Sequence, residues 1–79
     1  MKILIIEDEY SLADAIAETL KKENFAVNIV TDGEEGENEA LTNIYDLIFL
    51  DIMLPNKNGF KILNNLRKEK IDTNYYFNG

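Results

Sequence analysis

The sequence predicts an α/β domain with an open parallel sheet, and three observations support this fold class. Two short apolar runs, residues 3–6 and 47–50, have the composition of strands that are buried on both faces. Segments with helical periodicity alternate with the candidate strands in the order β-α-β-α-β-α, which implies right-handed crossovers and helices on the sheet faces. The chain has 79 residues, 46% of them hydrophobic, which permits a single small domain with a compact core.

Residues 2–8 form the first predicted strand, and a helix follows it. Ser11 is the expected N-cap of this helix, because Asp14 stands three positions later and completes a short capping box. The helix ends near residue 23. One of its faces is apolar and consists of Leu12, Ala13, Ile16, Ala17 and Leu20.

Residues 25–30 form the second strand, and the helix predicted over residues 33–43 is weak. Asp32 is its expected cap, again with capping-box spacing to Glu35. Gly36 costs the helix about 1 kcal/mol relative to Ala. We expect a helix that is short or frayed at its start, because its apolar residues cluster at the end of the segment. They are Ala40, Leu41 and Ile44.

The third strand covers residues 47–52, and the loop after it contains Pro55, which prevents an early start of the next helix. That helix runs to about residue 70, and its predicted buried face consists of Phe60, Ile62, Leu63 and Leu66. Residues 74–77 have strand-forming side chains and are a candidate for a short fourth strand.

Carboxylates directly follow two of the apolar strands. Glu7 and Asp8 end the first strand, and Asp51 ends the third. Because ligands bind at the carboxyl ends of parallel strands, we expect these acids to meet in one crevice, where a cation or a proton must offset their repulsion. Mg²⁺ prefers such oxygen ligands, and a carboxylate beside it could accept a phosphoryl group as an acyl phosphate. A structural role, as a solvated turn and as acids near a helix N-terminus, is also open.

The composition excludes several classes of function. A net charge of −7 disfavours binding to nucleic acid or to an anionic membrane, which requires a basic surface. The absence of Cys and His excludes disulfides, thiolate chemistry, His-ligated metals and serine-hydrolase-type triads. No apolar run is long enough for a signal peptide or a membrane span, so we expect a cytoplasmic protein.

Four segments occur in an order that is typical of one protein family. They are Lys2-Ile3-Leu4-Ile5-Ile6-Glu7-Asp8-Glu9, Thr31-Asp32-Gly33, Tyr45-Asp46-Leu47-Ile48-Phe49-Leu50-Asp51-Ile52-Met53-Leu54-Pro55 and Gly59-Phe60. With these segments the chain resembles the receiver domain of two-component response regulators, most closely those of the winged-helix transcription-factor subfamily. The resemblance implies a flavodoxin-like fold with strand order 2-1-3, and a sensor histidine kinase as partner.

The same resemblance implies a role for each acid. Asp51 would be the phosphoacceptor and would also contact a Mg²⁺ cofactor. Asp8 would bind the metal directly and Glu7 through a water molecule, and the backbone carbonyl of Met53 would complete the protein ligands.

Measured against the family pattern, residues 1–79 correspond to a single partial receiver domain without an effector domain. A full receiver resembles a five-stranded unit of roughly 120 residues, within the usual size of a domain. No Ser or Thr stands near residue 79, and no residue can be assigned as the Lys after a fifth strand. We therefore expect Mg²⁺ binding with weak or no phosphorylation, and no enzymatic turnover. We also expect self-association through the edge of the third strand, covered at most by Tyr75-Tyr76-Phe77.

Two other functions remain open at this point. The chain could be a non-catalytic interaction or dimerisation module that uses the same half-fold, and a phosphorylation assay would separate this from the first hypothesis. It could also be a flavodoxin-like binder of a nucleotide or flavin. The last function is disfavoured because no Gly-rich loop follows the first strand, and acids occupy the position where a phosphate needs backbone donors.

Overall fold

A computed structural model describes residues 1–78, with the backbone alone for Asn78. The elements are β1 (Lys2–Ile6), α1 (Tyr10–Lys22), β2 (Ala26–Val30), α2 (Gly33–Ala40), β3 (Leu47–Asp51), α3 (Gly59–Lys68) and β4 (Asn74–Asn78). The strands form one parallel sheet in the order β2-β1-β3-β4. The predicted fold class and the order 2-1-3 are confirmed, and the candidate fourth strand is present.

Helices lie on both faces of the sheet, and apolar side chains alternate between two clusters along each central strand. In β1, Leu4 and Ile6 belong to the cluster under α2 and α3, whereas Ile3 and Ile5 belong to the cluster under α1. In α1 only the small residues of the apolar face are fully buried, since they lie closest to the sheet. These are Ala13 and Ala17.

Helix α1 begins earlier than the sequence predicts. Its N-cap is Glu9, in an extended conformation and without a side-chain capping bond, so the prediction of Ser11 as the cap is wrong. The reason is that β1 ends at Ile6 instead of residue 8, which brings the first helical turn forward. The amide of Ala13 already donates to the carbonyl of Glu9 at 3.1 Å.

Helix α2 is short, as expected, and Asp32 caps it by accepting the Glu35 amide at 3.0 Å. Of the apolar residues at the end of this segment, Ile44 does not pack into the core, because the helix ends at Ala40 and Ile44 lies exposed in the segment before β3. Tyr45 is buried instead. Its hydroxyl donates to Glu39 at 2.6 Å and accepts from Asn28 at 2.7 Å.

Helix α3 begins at Gly59, and Asn58 caps it by accepting the Lys61 amide at 2.9 Å. Its buried residues include Ile62, Leu63 and Leu66, as predicted. Phe60 is 57% exposed, so its predicted burial is wrong. It lies in the first turn with its ring near that of Phe77, at 6.1 Å between the ring centroids.

Strand β4 pairs with β3 over its full length, from Asn74 opposite Leu47 to Asn78 opposite Asp51. Of the two arrangements expected for β3, an exposed edge or an edge covered by residues 75–77, the structure has the second, and within residues 1–78 the edge strands are β2 and β4. The rings of Tyr76 and Phe49 stack with centroids 5.0 Å apart. Among the described residues, no helix has the length and hydrophobicity needed to cross a membrane.

Candidate metal centre

Three carboxylates meet where β1 and β3 end. Ile6 pairs with Leu50 in the parallel ladder, so Glu7 and Asp51 are the next residues at the same edge of the sheet. Oxygens of Glu7, Asp8 and Asp51 all lie within 4.8 Å of one another. The structure thus brings together the three acids that the sequence singled out.

Burial and backbone hydrogen bonds hold two of these acids in place. Glu7 is 3% exposed and Asp51 is 7% exposed, whereas Asp8 faces solvent. The amide of Glu9 donates to Glu7 Oε2 at 3.0 Å, and the amide of Met53 donates to Asp51 Oδ1 at 3.1 Å. The backbone of Met53 therefore lies beside Asp51, and its carbonyl as a metal ligand stays a prediction.

The crevice favours protonation of Glu7 in the absence of a cation. The pKa of Glu7 is raised from 4.5 to about 6, chiefly by burial and further by the nearby carboxyls of Asp8 and Asp51. The Glu9 amide opposes this pKa shift by stabilising the charged form. A divalent cation would compete with that proton for the same carboxylate.

The donor set fits a hard divalent cation such as Mg²⁺. All three side chains offer oxygen, and Mg²⁺ binds oxygen at about 2.0–2.1 Å, so two of its ligands are separated by at most about 4.2 Å. Carboxylate oxygens within 4.8 Å of one another are therefore compatible with direct ligation by some acids and water-mediated contact by others. This matches the habit of Mg²⁺ of retaining several waters.

The side chains that join α2 to the loop after β3 are not apparent from the sequence. Asn56 donates to Asp32, and Lys57 forms an ion pair with Glu37. The only signal in the sequence is that α2 carries several acids and the loop after β3 carries a lysine. Which acid meets which base depends on how α2 packs against the loop, and the sequence does not show this.

The sheet order and the acidic crevice together define a flavodoxin-like α/β domain with a candidate cation site at the carboxyl ends of its central strands. The family model described as "Response regulator receiver domain" matches residues 3–77. The chain belongs to the response regulator receiver domain family.

Curated relatives agree with this assignment. The response regulator ArlR of Staphylococcus saprophyticus is 51% identical over 69 residues, covering 87% of this chain and 31% of that protein. The transcriptional regulatory protein CiaR of Streptococcus pneumoniae is 49% identical over 74 residues, covering 92% of this chain and 32% of that protein. The chain thus spans about a third of the length of these relatives.

Solved structures share the fold. The receiver domain of a Francisella response regulator is 30% identical with a TM-score of 0.91, over 96% of this chain and 63% of that one. The response regulator TrrA of Thermotoga maritima, in complex with Mg²⁺-BeF, is 30% identical with a TM-score of 0.86, over 94% of this chain and 64% of that one.

Proposed function

We propose that this receiver domain accepts a phosphoryl group on Asp51 from a sensor histidine kinase in the cytoplasm, with Mg²⁺ as cofactor. The observation that carries the proposal is the convergence of Glu7, Asp8 and Asp51 at the carboxyl ends of β1 and β3. The complex of TrrA with Mg²⁺-BeF, a protein of the same fold, supports the choice of metal. In this proposal the domain is a phosphoacceptor and not an enzyme with turnover.

Each residue has a separate role in the proposed transfer. Asp8 and Asp51 would bind the metal directly, Glu7 through water, and the Met53 carbonyl would complete the set. When bound, Mg²⁺ would offset the negative charge of the phosphoryl oxygens. The Met53 amide orients the Asp51 carboxylate, whose oxygen forms the new bond to phosphorus while the bond from phosphorus to the donor's leaving group breaks.

Phosphorylation of the 79-residue chain is expected to depend on Asp51 and on Mg²⁺, and to be substoichiometric. The chain is incubated with Mg²⁺ and acetyl phosphate, and intact mass spectrometry counts the phosphoryl groups. We expect a low yield because no Ser or Thr stands near residue 79, where the family pattern has a hydroxyl, and the loss of one preorganised donor costs roughly 3–4 kcal/mol of transition-state stabilisation.

Two controls define the outcome of this experiment. Asp51→Asn removes the nucleophile and should take up nothing, whereas Glu18→Gln, on the exposed face of α1, should behave as the parent chain. Equal labelling of Asp51→Asn would refute Asp51 as the acceptor. Stoichiometric labelling of the parent chain would show that a hydroxyl at that position is dispensable.

A second candidate function is pairing with a second copy of the chain, and the sheet edge favours it. Strand β4 is an edge within the described residues, and Tyr76 on it is 58% exposed. An apolar groove of about 500 Å³ lies beside it, lined by residues of α1 and the sheet. They include Leu12, Ile16, Leu20, Phe49 and Tyr76. An exposed edge of this kind is a template for another strand.

Self-association is expected to raise the mass measured by light scattering at tens of micromolar protein above that of the monomer. Tyr76→Lys should restore the monomer mass, because a charged side chain on an edge strand opposes pairing. Tyr10→Lys is the matched control, since Tyr10 is exposed to a similar extent at the start of α1. A monomer mass for the parent chain, or equal effects of the two variants, would contradict pairing through β4.

A further inference from the structure

The loop of residues 52–58 begins beside the candidate site and is closed at its base by a backbone hydrogen bond. At its start the Met53 amide donates to Asp51 Oδ1 at 3.1 Å. At its end the Gly59 amide donates to the Ile52 carbonyl at 2.8 Å, which closes the loop on itself. At the tip Asn56 adopts a left-handed conformation with φ 69°. Met53, which borders Asp51, therefore belongs to the same closed loop as the tip.

A partly buried ion pair holds the tip of this loop against α2. Lys57 Nζ lies 2.7 Å from Glu37 Oε1, and the two side chains are only 23% and 12% exposed. The same carboxylate accepts a hydrogen bond from the side-chain amide of Asn65 at 3.1 Å. Glu37 thus connects α2 with the loop and with α3.

The N-terminus of α2 makes a second attachment to the same tip. Asn56 donates its side-chain amide to Asp32, the cap of α2. The backbones are also in close contact, since a Cβ on Gly33 would lie 2.5 Å from the carbonyl oxygen of Lys57. The backbones of α2 and the loop tip are thus packed together at Gly33 and Lys57. The ion pair adds a side-chain attachment at the same place.

We propose that Glu37 and Lys57 are positioning residues for the Asp51 site, whose ion pair keeps the loop of residues 52–58 where the Met53 backbone borders Asp51. The inference rests on the proposed function for its effect on Mg²⁺. Groups that orient the ligands of a metal change its affinity without contacting it. Here the ion pair lies four residues along the chain from Met53 and acts through the loop backbone.

Lys57→Glu separates positioning from simple electrostatics. The variant places two carboxylates opposite each other and adds negative charge near the site, so long-range attraction alone predicts tighter Mg²⁺ binding. Loss of the loop position predicts weaker binding, by about tenfold, the lower end of the effect that outer-shell partners have on metal affinity. Backbone amide NMR during a Mg²⁺ titration of the 79-residue chain measures the affinity. Lys61→Glu, the same charge change on the exposed face of α3, should leave Mg²⁺ affinity equal or increased.

Exchanging the two charges tests whether the ion pair itself is responsible. The double variant Glu37→Lys with Lys57→Glu recreates the ion pair in reverse and should return Mg²⁺ affinity to within about twofold of the parent chain, as pairwise coupling predicts. Hydrogen exchange of the Met53 and Gly59 amides without Mg²⁺ is the second readout. It should be faster in Lys57→Glu and return to the parent rate in the double variant.

The two readouts keep the two proposals apart. If the parent chain binds no Mg²⁺, the proposed function fails, while amide exchange still decides whether the ion pair positions the loop. Parent-like exchange and affinity in Lys57→Glu would overturn the inference. A double variant as impaired as the single variant would overturn it as well.

Discussion

Replacing Gly59 by alanine is expected to lower the free energy of unfolding by about 1–3 kcal/mol, the usual range for forcing extra atoms into a packed site. A Cβ at this position would lie 2.6 Å from the Asp51 carbonyl oxygen and 2.8 Å from the Ile52 Cα. Both atoms belong to the backbone, so no side-chain rotation relieves the overlap. The segment that carries the candidate phosphoacceptor has to move.

The small size of the domain makes this loss severe. A chain of this length buries only roughly 60% of its unfolded surface and has little stability in reserve. Urea denaturation followed by circular dichroism measures the change. Asn64→Ala, on the exposed face of the same helix, should alter stability by no more than about 0.5 kcal/mol. An unfolding midpoint of Gly59→Ala equal to that of the parent chain would show that the backbone adjusts without cost.

Replacing Glu7 by glutamine is expected to stabilise the metal-free chain at neutral pH. The pKa of Glu7 is raised from 4.5 to about 6, chiefly by burial and further by the neighbouring acids. Because the folded-state pKa is the higher one, the folded chain holds this proton more tightly than the unfolded chain does. The stability that Glu7 contributes is therefore fully present below pH 4.5 and is lost as the pH rises through about 6.

The size of this effect follows from the pKa shift. The rise from 4.5 to about 6 corresponds to at most about 2 kcal/mol, and screening by solvent and salt reduces the expected value to about 1 kcal/mol. Urea unfolding without metal should therefore show Glu7→Gln more stable than the parent chain by about 1 kcal/mol at pH 7.5. The difference should close toward pH 4.5.

Mg²⁺ should reverse the order of the two chains at neutral pH. A cation that binds the folded state raises its stability by mass action, and the parent chain keeps a carboxylate that the glutamine variant lacks. Glu18→Gln, which changes an exposed acid on α1, controls for the change in net charge. A stability difference between Glu7→Gln and the parent chain that is independent of pH would contradict the assigned protonation of Glu7.

Much of the candidate site could be predicted from residues that are close in the chain. The apolar runs before Glu7 and Asp51 identified buried parallel strands, and strands of this kind place the residues that follow them at one edge of the sheet. The local caps at Asp32 and Asn58 depend on hydrogen bonds across three residues. For the acids and the Asp32 cap, the pattern of neighbouring residues was sufficient.

Other features depended on contacts between distant segments. Gly36 reads as a weak helix position in the sequence, whereas in the fold its missing side chain makes room for Ile6, whose Cγ2 would lie 2.6 Å from an added Cβ. Ser11 has the spacing of a cap, yet the early end of β1 leaves that role to Glu9. The spacing of acids and hydroxyls does not show where the preceding strand leaves the sheet.

By itself, the sequence determined the parallel α/β class and the residues that form the acidic crevice, because periodicity and strand ends are local properties of the chain. The strand order 2-1-3 was implied by the resemblance to the receiver family. Only the tertiary structure decided that β4 covers the edge of β3 and that Glu37 pairs with Lys57. Both contacts join residues about twenty or more positions apart. Such pairs are selected by how helices and strands pack together, which no local pattern of residues specifies.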